Sequence, residues 1–286
     1  MMRQDGASRR GLQSGVPPVI ALLTDFGLQD PYVGAMKGAI LSVCPEATLV
    51  DVLHDIPSHD VAAGALALDS VYRHFPGGTV FLAVVDPGVG SPRRPVALGA
   101  ARWSFVGPDN GLFTFVLEAH PEARVHLLAN PLLFREPTSP VFHGRDLFGP
   151  AAGRIARGLP LEEVGPAVAD PVHLAHPPKV RLAAGWEGAV LHVDRFGNLT
   201  TNLLEADLAA LGARGPEGLE VRLGAQALPL VRSYSDVAPG AACALVGSSG
   251  RLEIAVHRGR ADALFGAGCG TRVCVRRASV VHSASR

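Results

Sequence analysis

Residues 18–43 read PVIALLTDFGLQDPYVGAMKGAILSV, and this stretch decides the fold. Its apolar run at 18–23 predicts a buried strand that ends in the polar loop at 24–27. The residues that follow predict a helix over 31–43, with Asp30 as the N-cap before a proline at the first helical position. A strand followed by a helix is the unit from which parallel sheets are built.

The same alternation continues along the chain. Residues 47–53 predict a second strand, 61–74 a helix capped by Asp60, and 79–85 a third strand. This order of elements predicts a mostly parallel sheet, in which ligands bind outside the carboxyl ends of the strands. In this chain the three strand ends carry three carboxylates, those of Asp25, Asp55 and Asp86.

Past these units the pattern predicts two more strands and two more helices, and then changes. The strands are expected at 95–101 and 103–107, and the helices at 112–119 and 147–157. After Asp170 come three prolines, which indicate a linker. Beyond the linker come short β segments that are broken by glycines and prolines and are typical of a small antiparallel barrel or sandwich: GAVLHVD, LEVRLG, ACALVG, RLEIAVH and TRVCVRR.

The predicted fold class is therefore an α/β N-terminal domain with a mostly parallel sheet, followed by a small C-terminal all-β, barrel-like domain. The boundaries that we expect are a disordered leader over 1–17, the α/β domain over 18–172, a linker over 173–184 and the β domain over 185–286.

The composition excludes several classes of protein. The 286 residues include 26 basic and 26 acidic side chains, so no basic excess favours nucleic acid or a membrane surface. No run of about 18 apolar residues and no signal peptide is present, so we expect a cytoplasmic protein. The four cysteines form no CxxC pair, which predicts buried free thiols and no metal site.

Two motifs of the first domain carry candidate chemistry. In Asp86-Pro-Gly-Val-Gly-Ser-Pro-Arg93 the glycine-rich turn can fold the guanidinium back onto the carboxylate. The pair either only stabilises the loop or belongs to an active site. His143, in Phe-His-Gly-Arg-Asp, is either a structural histidine or, beside that pair, a group that positions and deprotonates a water molecule.

Two motifs of the second domain suggest a binding surface. In the stretch 194–202, DRFGNLTTN, Phe196 could stack on a base and Asn198 could hydrogen-bond its edge. The alternative is a polar turn over a buried Phe196. Ser248, in Ser-Ser-Gly, could donate hydrogen bonds to a carboxylate.

Taken together, the motifs TDFG-x-x-D-x-Y-V-G-x-M-K-G, DPGVGS-x-R, PDNG, FHGRD and D-x-FGN-x-x-TN occur in one order across residues 18–280. In this the chain resembles the S-adenosyl-L-methionine hydroxide adenosyltransferase family, which is related to the fluorinase and the chlorinase. The resemblance implies attack of water or hydroxide at ribose C5′ of S-adenosyl-L-methionine, giving adenosine and L-methionine without a cofactor. It also implies a homotrimer, with each substrate held by the N-terminal domain of one subunit and the C-terminal domain of its neighbour.

The resemblance also implies roles for particular residues. The catalytic set falls on Asp86, Arg93 and His143. Ribose binding falls on Asp25, and binding of the methionine ammonium and carboxylate on Asp30, Asp194 and Ser248. Adenine recognition falls on Phe196 and Asn198, with the backbone near Arg258.

Departures from the halogenating relatives favour water as the nucleophile. Those relatives have tyrosines at the positions of Asp86 and His143, and the fluorinase has a halide-binding serine at the position of Gly144. A carboxylate at Asp86 would repel a halide but accept a hydrogen bond from water. The sequence therefore predicts a hydrolase; the alternatives are a chlorinase-like halide adenosyltransferase and a non-catalytic protein that binds S-adenosyl-L-methionine or adenosine.

Overall fold

The structure is a computed structural model that describes residues 16–212 and 218–278. Residues 1–15 of the predicted leader and the last eight residues of the chain lie outside this part. By its internal contacts the chain divides into two compact units, unit 1 up to Leu174 and unit 2 from Ala175.

Unit 1 is built on a six-stranded sheet with the strand order β2-β1-β3-β5-β4-β6. Strands β2, β1, β3 and β5 run parallel, and β4 is antiparallel to both β5 and β6. The sheet is therefore mostly parallel, as predicted. Its strands are β1 (Val19–Thr24), β2 (Thr48–Leu53), β3 (Val80–Val84), β4 (Pro95–Ala100), β5 (Trp103–Pro108) and β6 (Arg124–Leu127).

Helices cover both faces of this sheet. They are α1 (Tyr32–Val43), α2 (Val61–Val71), α3 (Thr114–Ala119) and α4 (Gly149–Ala156). Because successive strand residues point to opposite faces, Ile20 and Leu22 belong to the buried cluster that includes α1 and α4 residues. Ala21 and Leu23 belong to the cluster that includes α2 and α3 residues. Burial on both faces explains why β1 and β3 are nearly continuous apolar runs.

The predicted helix starts were partly right. The Asp60 carboxylate accepts a hydrogen bond of 2.9 Å from the Ala63 N–H and caps α2, as predicted. The prediction that Asp30 caps α1 is wrong, because the cap position is Pro31 and no side chain caps this end. The Pro31 carbonyl instead accepts from the Ala35 N–H at 2.9 Å.

The helix expected at 147–157 starts earlier and in a different form. Residues 144–148 form one π-helical turn directly after His143, and α4 continues from Gly149. Such turns are rare and occur frequently at functional sites. The sequence pattern did not reveal this turn, since the apolar spacing of α4 is that of an ordinary helix.

Unit 2 is an antiparallel, nearly barrel-shaped sheet, as predicted. Its strand order is β11-β10-β14-β8-β9-β13-β12, and β7 also pairs with β8. A bridge between Leu230, just after β11, and Ala244 of β12 links the two ends. The strands are β7 (Val180–Leu182), β8 (Gly185–Val193), β9 (Leu199–Leu204), β10 (Leu219–Leu223), β11 (Gln226–Leu228), β12 (Ala242–Val246), β13 (Arg251–Val256) and β14 (Arg272–Arg277). Two short helices, α5 (Glu205–Ala209) and α6 (Ala261–Phe265), complete the unit.

The sequence pattern did not predict four of the strands. β6, β9 and β11 are short or rich in polar residues, and β7 lies within the expected linker at 173–184. The domain boundaries themselves stay a prediction. The cysteines are free, but only Cys44 and Cys243 are buried, so the expectation of four buried thiols was wrong. None of the described helices is long and apolar enough to cross a membrane.

We expect Asp60→Ala to lower the free energy of unfolding by about 1 kcal/mol, because α2 loses the acceptor for one of its first N–H groups. Asp60→Asn keeps an oxygen in the same place and should stay close to the wild type. Urea unfolding of the three proteins measures the difference. Equal stability of the Ala and Asn variants would contradict the capping role.

Candidate active site

A hollow of about 260 Å³ opens at the carboxyl ends of the parallel strands of unit 1. Asp25 follows β1, Asp86 follows β3, and both line this hollow together with His143. The position is the one at which open α/β sheets bind ligands. Asp55 follows β2 but does not line it, and neither does Asp30, which is exposed in the loop before α1.

Asp86, which lines the unit 1 hollow, forms a buried ion pair with Arg93. Arg93 Nε donates to Asp86 Oδ1 at 2.9 Å, and Arg93 Nη2 donates to Asp86 Oδ2 at 2.5 Å. The side chain of Arg93 is 9% exposed and that of Asp86 is 5% exposed. Such bidentate, charge-assisted contacts are the strong class of hydrogen bond. The structure thus brings together the two ends of the DPGVGSPR motif.

A tight turn closes the motif. The Val89 N–H donates to the Asp86 carbonyl at 3.2 Å, and the Ser91 N–H donates to the Gly88 carbonyl at 3.0 Å. Gly90 has φ of +78°, and a Cβ there would lie 2.8 Å from the Pro140 carbonyl oxygen. Gly90 therefore cannot carry a side chain without displacing one of two loops.

His143 joins the pair through the same guanidinium. Arg93 Nη2 lies 2.7 Å from His143 Nδ1. A guanidinium only donates, so Nδ1 is the acceptor and the neutral ring carries its proton on Nε2. Burial, and secondly the Arg93 charge, lower the pKa of His143 below its usual 6.5. His143 is therefore a neutral hydrogen-bond donor at Nε2, which the sequence did not reveal.

Asp25 is held by a segment that the sequence analysis did not single out. Its Oδ2 accepts a hydrogen bond of 2.9 Å from the His59 N–H. His59 lines the hollow and has φ of +67°, a left-handed conformation that is uncommon outside glycine. One oxygen of Asp25 remains for a ligand hydroxyl.

An aromatic wall borders the same hollow. The rings of Phe26, Tyr32 and Phe142 meet edge to face, with centroids 5.4–6.2 Å apart. Gly144 lies against this wall, since a Cβ there would be 3.1 Å from Phe26 Cζ. A serine in place of Gly144 would crowd the Phe26 ring.

Unit 2 has its own, larger hollow of about 850 Å³. All the candidate binding residues predicted in this unit line it: Asp194, Phe196, Asn198, Ser248 and Arg258. The volume is within the range of about 300–1,000 Å³ that is usual for small-molecule sites. Phe196 is 73% exposed, so the alternative of a buried phenylalanine is wrong.

The Asp194 carboxylate organises the turn that presents Phe196. Its Oδ1 accepts from the N–H groups of Phe196 and Asn198, each at 2.8 Å. Its Oδ2 accepts from Asn198 Nδ2 at 2.9 Å. The Asn198 amide is thereby oriented, and its oxygen is left as the group that can accept from a ligand.

Among the lining residues of the unit 2 hollow that sequence reasoning missed is a hydrogen-bonded pair of titratable side chains. Tyr234 Oη donates to Glu253 Oε2 at 3.1 Å, and both line the hollow. Burial raises the pKa of Glu253 above its usual value and that of Tyr234 to about 12. An acidic residue inside the apolar segment RLEIAV of β13 was the signal that could have indicated Glu253.

Among the described residues, no group of three or more His, Cys, Asp or Glu side chains is arranged to hold a metal ion. Within each hollow, polar side chains make hydrogen bonds to other polar groups of the same unit.

Fold and motifs together define a two-domain enzyme family. The chain belongs to the SAM hydroxide adenosyltransferase family: the model of the family's N-terminal domain matches residues 20–165, and that of its C-terminal domain matches residues 188–274.

Named relatives include both hydrolases and fluorinases. The (R)-S-adenosyl-L-methionine hydrolase of Thermus thermophilus is 42% identical over 86% of this chain and 95% of the relative. The (R)-S-adenosyl-L-methionine hydrolase of Salinispora tropica is 40% identical over 90% of this chain and 97% of the relative. A fluorinase of Nocardia brasiliensis is 33% identical over 85% of this chain and 91% of the relative. A solved structure of an uncharacterized conserved protein from Thermotoga maritima has a TM-score of 0.83 at 34% identity and covers 90% of this chain and 100% of that one.

We expect ¹⁵N NMR of histidine-labelled protein to find His143 neutral at pH 7, protonated at Nε2, with a titration midpoint below 6.5. Its pKa is lowered because burial and Arg93 both disfavour the cation. His126 is an internal reference for the opposite tautomer, since its Nδ1 must donate to the Gly165 carbonyl 3.0 Å away. An Nδ1-protonated His143, or a midpoint above 6.5, would contradict the assignment.

Proposed function

We propose that this chain hydrolyses (R)-S-adenosyl-L-methionine to adenosine and L-methionine. The observation that carries the proposal is the buried Asp86–Arg93–His143 cluster at the strand ends of unit 1. The membership of the family and the relatives named as (R)-S-adenosyl-L-methionine hydrolases support it. Their name also specifies the configuration at sulfur, which the sequence analysis left open.

In the proposed reaction a water oxygen attacks ribose C5′, and the C5′–S bond breaks with its electron pair going to sulfur. The positively charged sulfonium leaves as the neutral thioether of methionine, so the leaving group needs no protonation. The protein's task is to present the oxygen in line at about 3–3.5 Å from carbon. One proton is released for each substrate cleaved.

The geometry favours Asp86 as the group that accepts this proton. His143 Nδ1 already accepts from Arg93, so its Nε2–H can only donate to the water. Asp86 keeps lone pairs beyond those used by Arg93, and the water can donate to one of them. Arg93 also makes Asp86 a weaker nucleophile, which favours attack by water over a covalent ester with the protein.

We assign the substrate contacts as follows. Asp25 accepts from the ribose hydroxyls, Phe196 stacks on adenine, and the oriented Asn198 oxygen accepts from the adenine amino group. The exposure of the Phe196 ring and the oxygen of Asp25 not held by His59 support these roles. Methionine recognition is assigned to Asp30, Asp194 and Ser248, and the backbone near Arg258 to adenine.

We further propose a homotrimer in which unit 1 of one copy and unit 2 of another complete each site. The proposed residues are divided over two hollows, one in each unit. Each hollow has exposed apolar side chains in its lining: Tyr32 (48%) and Val141 (75%) in unit 1, and Phe196 (73%) in unit 2. Adjacent exposed apolar groups mark surfaces that bind ligands or other proteins. A cytoplasmic location and the absence of nucleic-acid partners stay predictions.

Incubation of the purified protein with (R)-S-adenosyl-L-methionine, with and without chloride, tests the function. We expect adenosine and L-methionine in both samples, because the Asp86 carboxylate would repel chloride. Chloroadenosine would indicate the halide-transferring alternative. Unchanged substrate that nevertheless binds would indicate a non-catalytic binding protein.

We expect Asp86→Asn to lower kcat by about 10²–10⁴-fold, the usual contribution of a general base. The amide keeps the shape of the carboxylate, so KM for (R)-S-adenosyl-L-methionine should change little. Steady-state adenosine formation measures both constants. The loss in an Asp86→Asn, His143→Ala double variant should be smaller than the product of the single losses, because groups that act as a unit are not additive. Wild-type kcat in Asp86→Asn would remove Asp86 from the mechanism.

Mixing two inactive variants tests the shared site. Asp86→Asn alters only the unit 1 hollow and Phe196→Ala only the unit 2 hollow. If each site takes its halves from different copies, co-expressed chains should recover about one quarter of the wild-type activity, because random assembly of a symmetric oligomer leaves that share of sites intact. Separately purified variants that are mixed without exchange are the control. Co-expression without any recovery would contradict the arrangement.

A further inference from the structure

The PDNG motif at 108–111 has no part in the proposed chemistry, yet two of its side chains hold both flanks of the loop that carries Asp86 and Arg93. We propose that Asp109 and Asn110 are positioning residues that fix the Asp86–Arg93 pair. This inference rests on the proposed function. The turn that contains them directly follows β5, the neighbour of β3 in the sheet.

Asn110 holds the residue before Asp86. Its Nδ2 donates to the Val85 carbonyl at 2.8 Å, and its Oδ1 accepts from the Leu112 N–H at 3.2 Å. Val85 is fully buried and lies one residue beyond β3, where the register with β5 has already ended at Leu82. A buried carbonyl requires a donor. Asn110 supplies it and so fixes the direction in which the chain enters Asp86.

Asp109 holds the residue after Arg93. Its Oδ2 accepts from Arg94 Nε at 2.8 Å, and its own N–H donates to the Arg94 carbonyl at 2.9 Å. Its Oδ1 accepts from the Val172 N–H at 2.8 Å. Asp109 is only 6% exposed, so these charge-assisted bonds are largely shielded from water.

The contacts of Asn110 and Asp109 together fix the distance between the two ends of the loop that carries Asp86 and Arg93. The carbonyl of Val85 and the backbone and side chain of Arg94 are bound to consecutive residues of one turn. Asp86 and Arg93 are the adjacent residues inside the loop, so their backbone positions follow from this attachment. Neither Asp109 nor Asn110 is among the described residues that line the unit 1 hollow. They therefore act through the pair rather than on the substrate.

The expected consequence is a loss of rate without a loss of binding. A misplacement of about 1 Å in a reacting group can lower a rate by about 10²-fold. The groups proposed to bind substrate lie elsewhere, on Asp25, on Asp30 and in unit 2. We therefore expect Asn110→Ala and Asp109→Asn each to lower kcat by about 10–100-fold, with KM for (R)-S-adenosyl-L-methionine within about twofold of the wild type.

Two matched controls separate positioning from general stability. Thr79→Val removes a buried hydrogen bond of 2.9 Å to the Pro76 carbonyl at the opposite end of β3. Asp170→Ala removes the exposed partner of Arg94 Nη1 but leaves Asp109 in place. We expect Thr79→Val to lower the thermal unfolding midpoint as much as Asn110→Ala does, and both controls to keep wild-type kcat.

A measurement that needs no turnover completes the test. In the wild type the Arg93 Nε–H donates to Asp86, so its NMR signal should be protected from exchange with water. We expect Asn110→Ala to lose that protection and Thr79→Val to keep it. If the wild type produced no adenosine, the proposed function would fail, and this signal would still decide the positioning role.

Asn110→Ser, which keeps a small polar side chain, replaces Asn110→Ala should the latter not fold. The inference is overturned if a folded Asn110 or Asp109 variant keeps wild-type kcat. It is equally overturned if kcat falls to the same degree in Thr79→Val, or if the Arg93 signal stays protected in the Asn110 variant.

Discussion

The candidate site of unit 1 is organised around one buried ion pair, that of Arg93 and Asp86. Removing two charges from water is costly, and their attraction compensates only when the geometry is good and the remaining polar atoms have partners. Both conditions are met here: the contact is bidentate, and the same Arg93 Nη2 group also donates to His143 Nδ1. The Arg93 guanidinium also lies over the Phe148 ring, 5.1 Å from its centroid. The turn at Gly90 and the π-helical turn after His143 are local departures from regular structure beside this pair.

Much of the fold could be predicted because its signals are local. Apolar runs buried on both faces gave β1 and β3, and a carboxylate at the start of a helix gave the Asp60 cap. The Asp30 cap failed because a proline one residue later took the cap position itself. β9 was missed because its residues, Leu199–Leu204, include two threonines and an asparagine, whose burial depends on neighbouring strands. Such burial is a tertiary property and leaves no periodic pattern.

The candidate site was predictable to a similar extent, and for a similar reason. Asp86 and Arg93 were paired from their spacing and the glycine-rich turn between them, and the five residues that the motifs and the family resemblance indicated in unit 2 do line one hollow. The tautomer of His143 could not be predicted, because it follows from which nitrogen meets Arg93. Tyr234 and Glu253 come from separate strands and loops and meet only in the folded unit. Asp30 does not line the unit 1 hollow, and its contact with methionine stays a prediction.

On the proposed mechanism, the same ion pair explains why water and not a halide would be the nucleophile. The positive charge of Arg93 is directed at Asp86 and is therefore unavailable to an anion in the hollow. A halide can accept hydrogen bonds but cannot donate one, so it would meet the Asp86 carboxylate unfavourably. A water molecule can donate to Asp86 and accept from His143 Nε2–H at once. The neutral state of His143, which burial and secondly the Arg93 charge favour, thus completes a donor and acceptor pair that fits water, while the Asp86 carboxylate disfavours a simple anion.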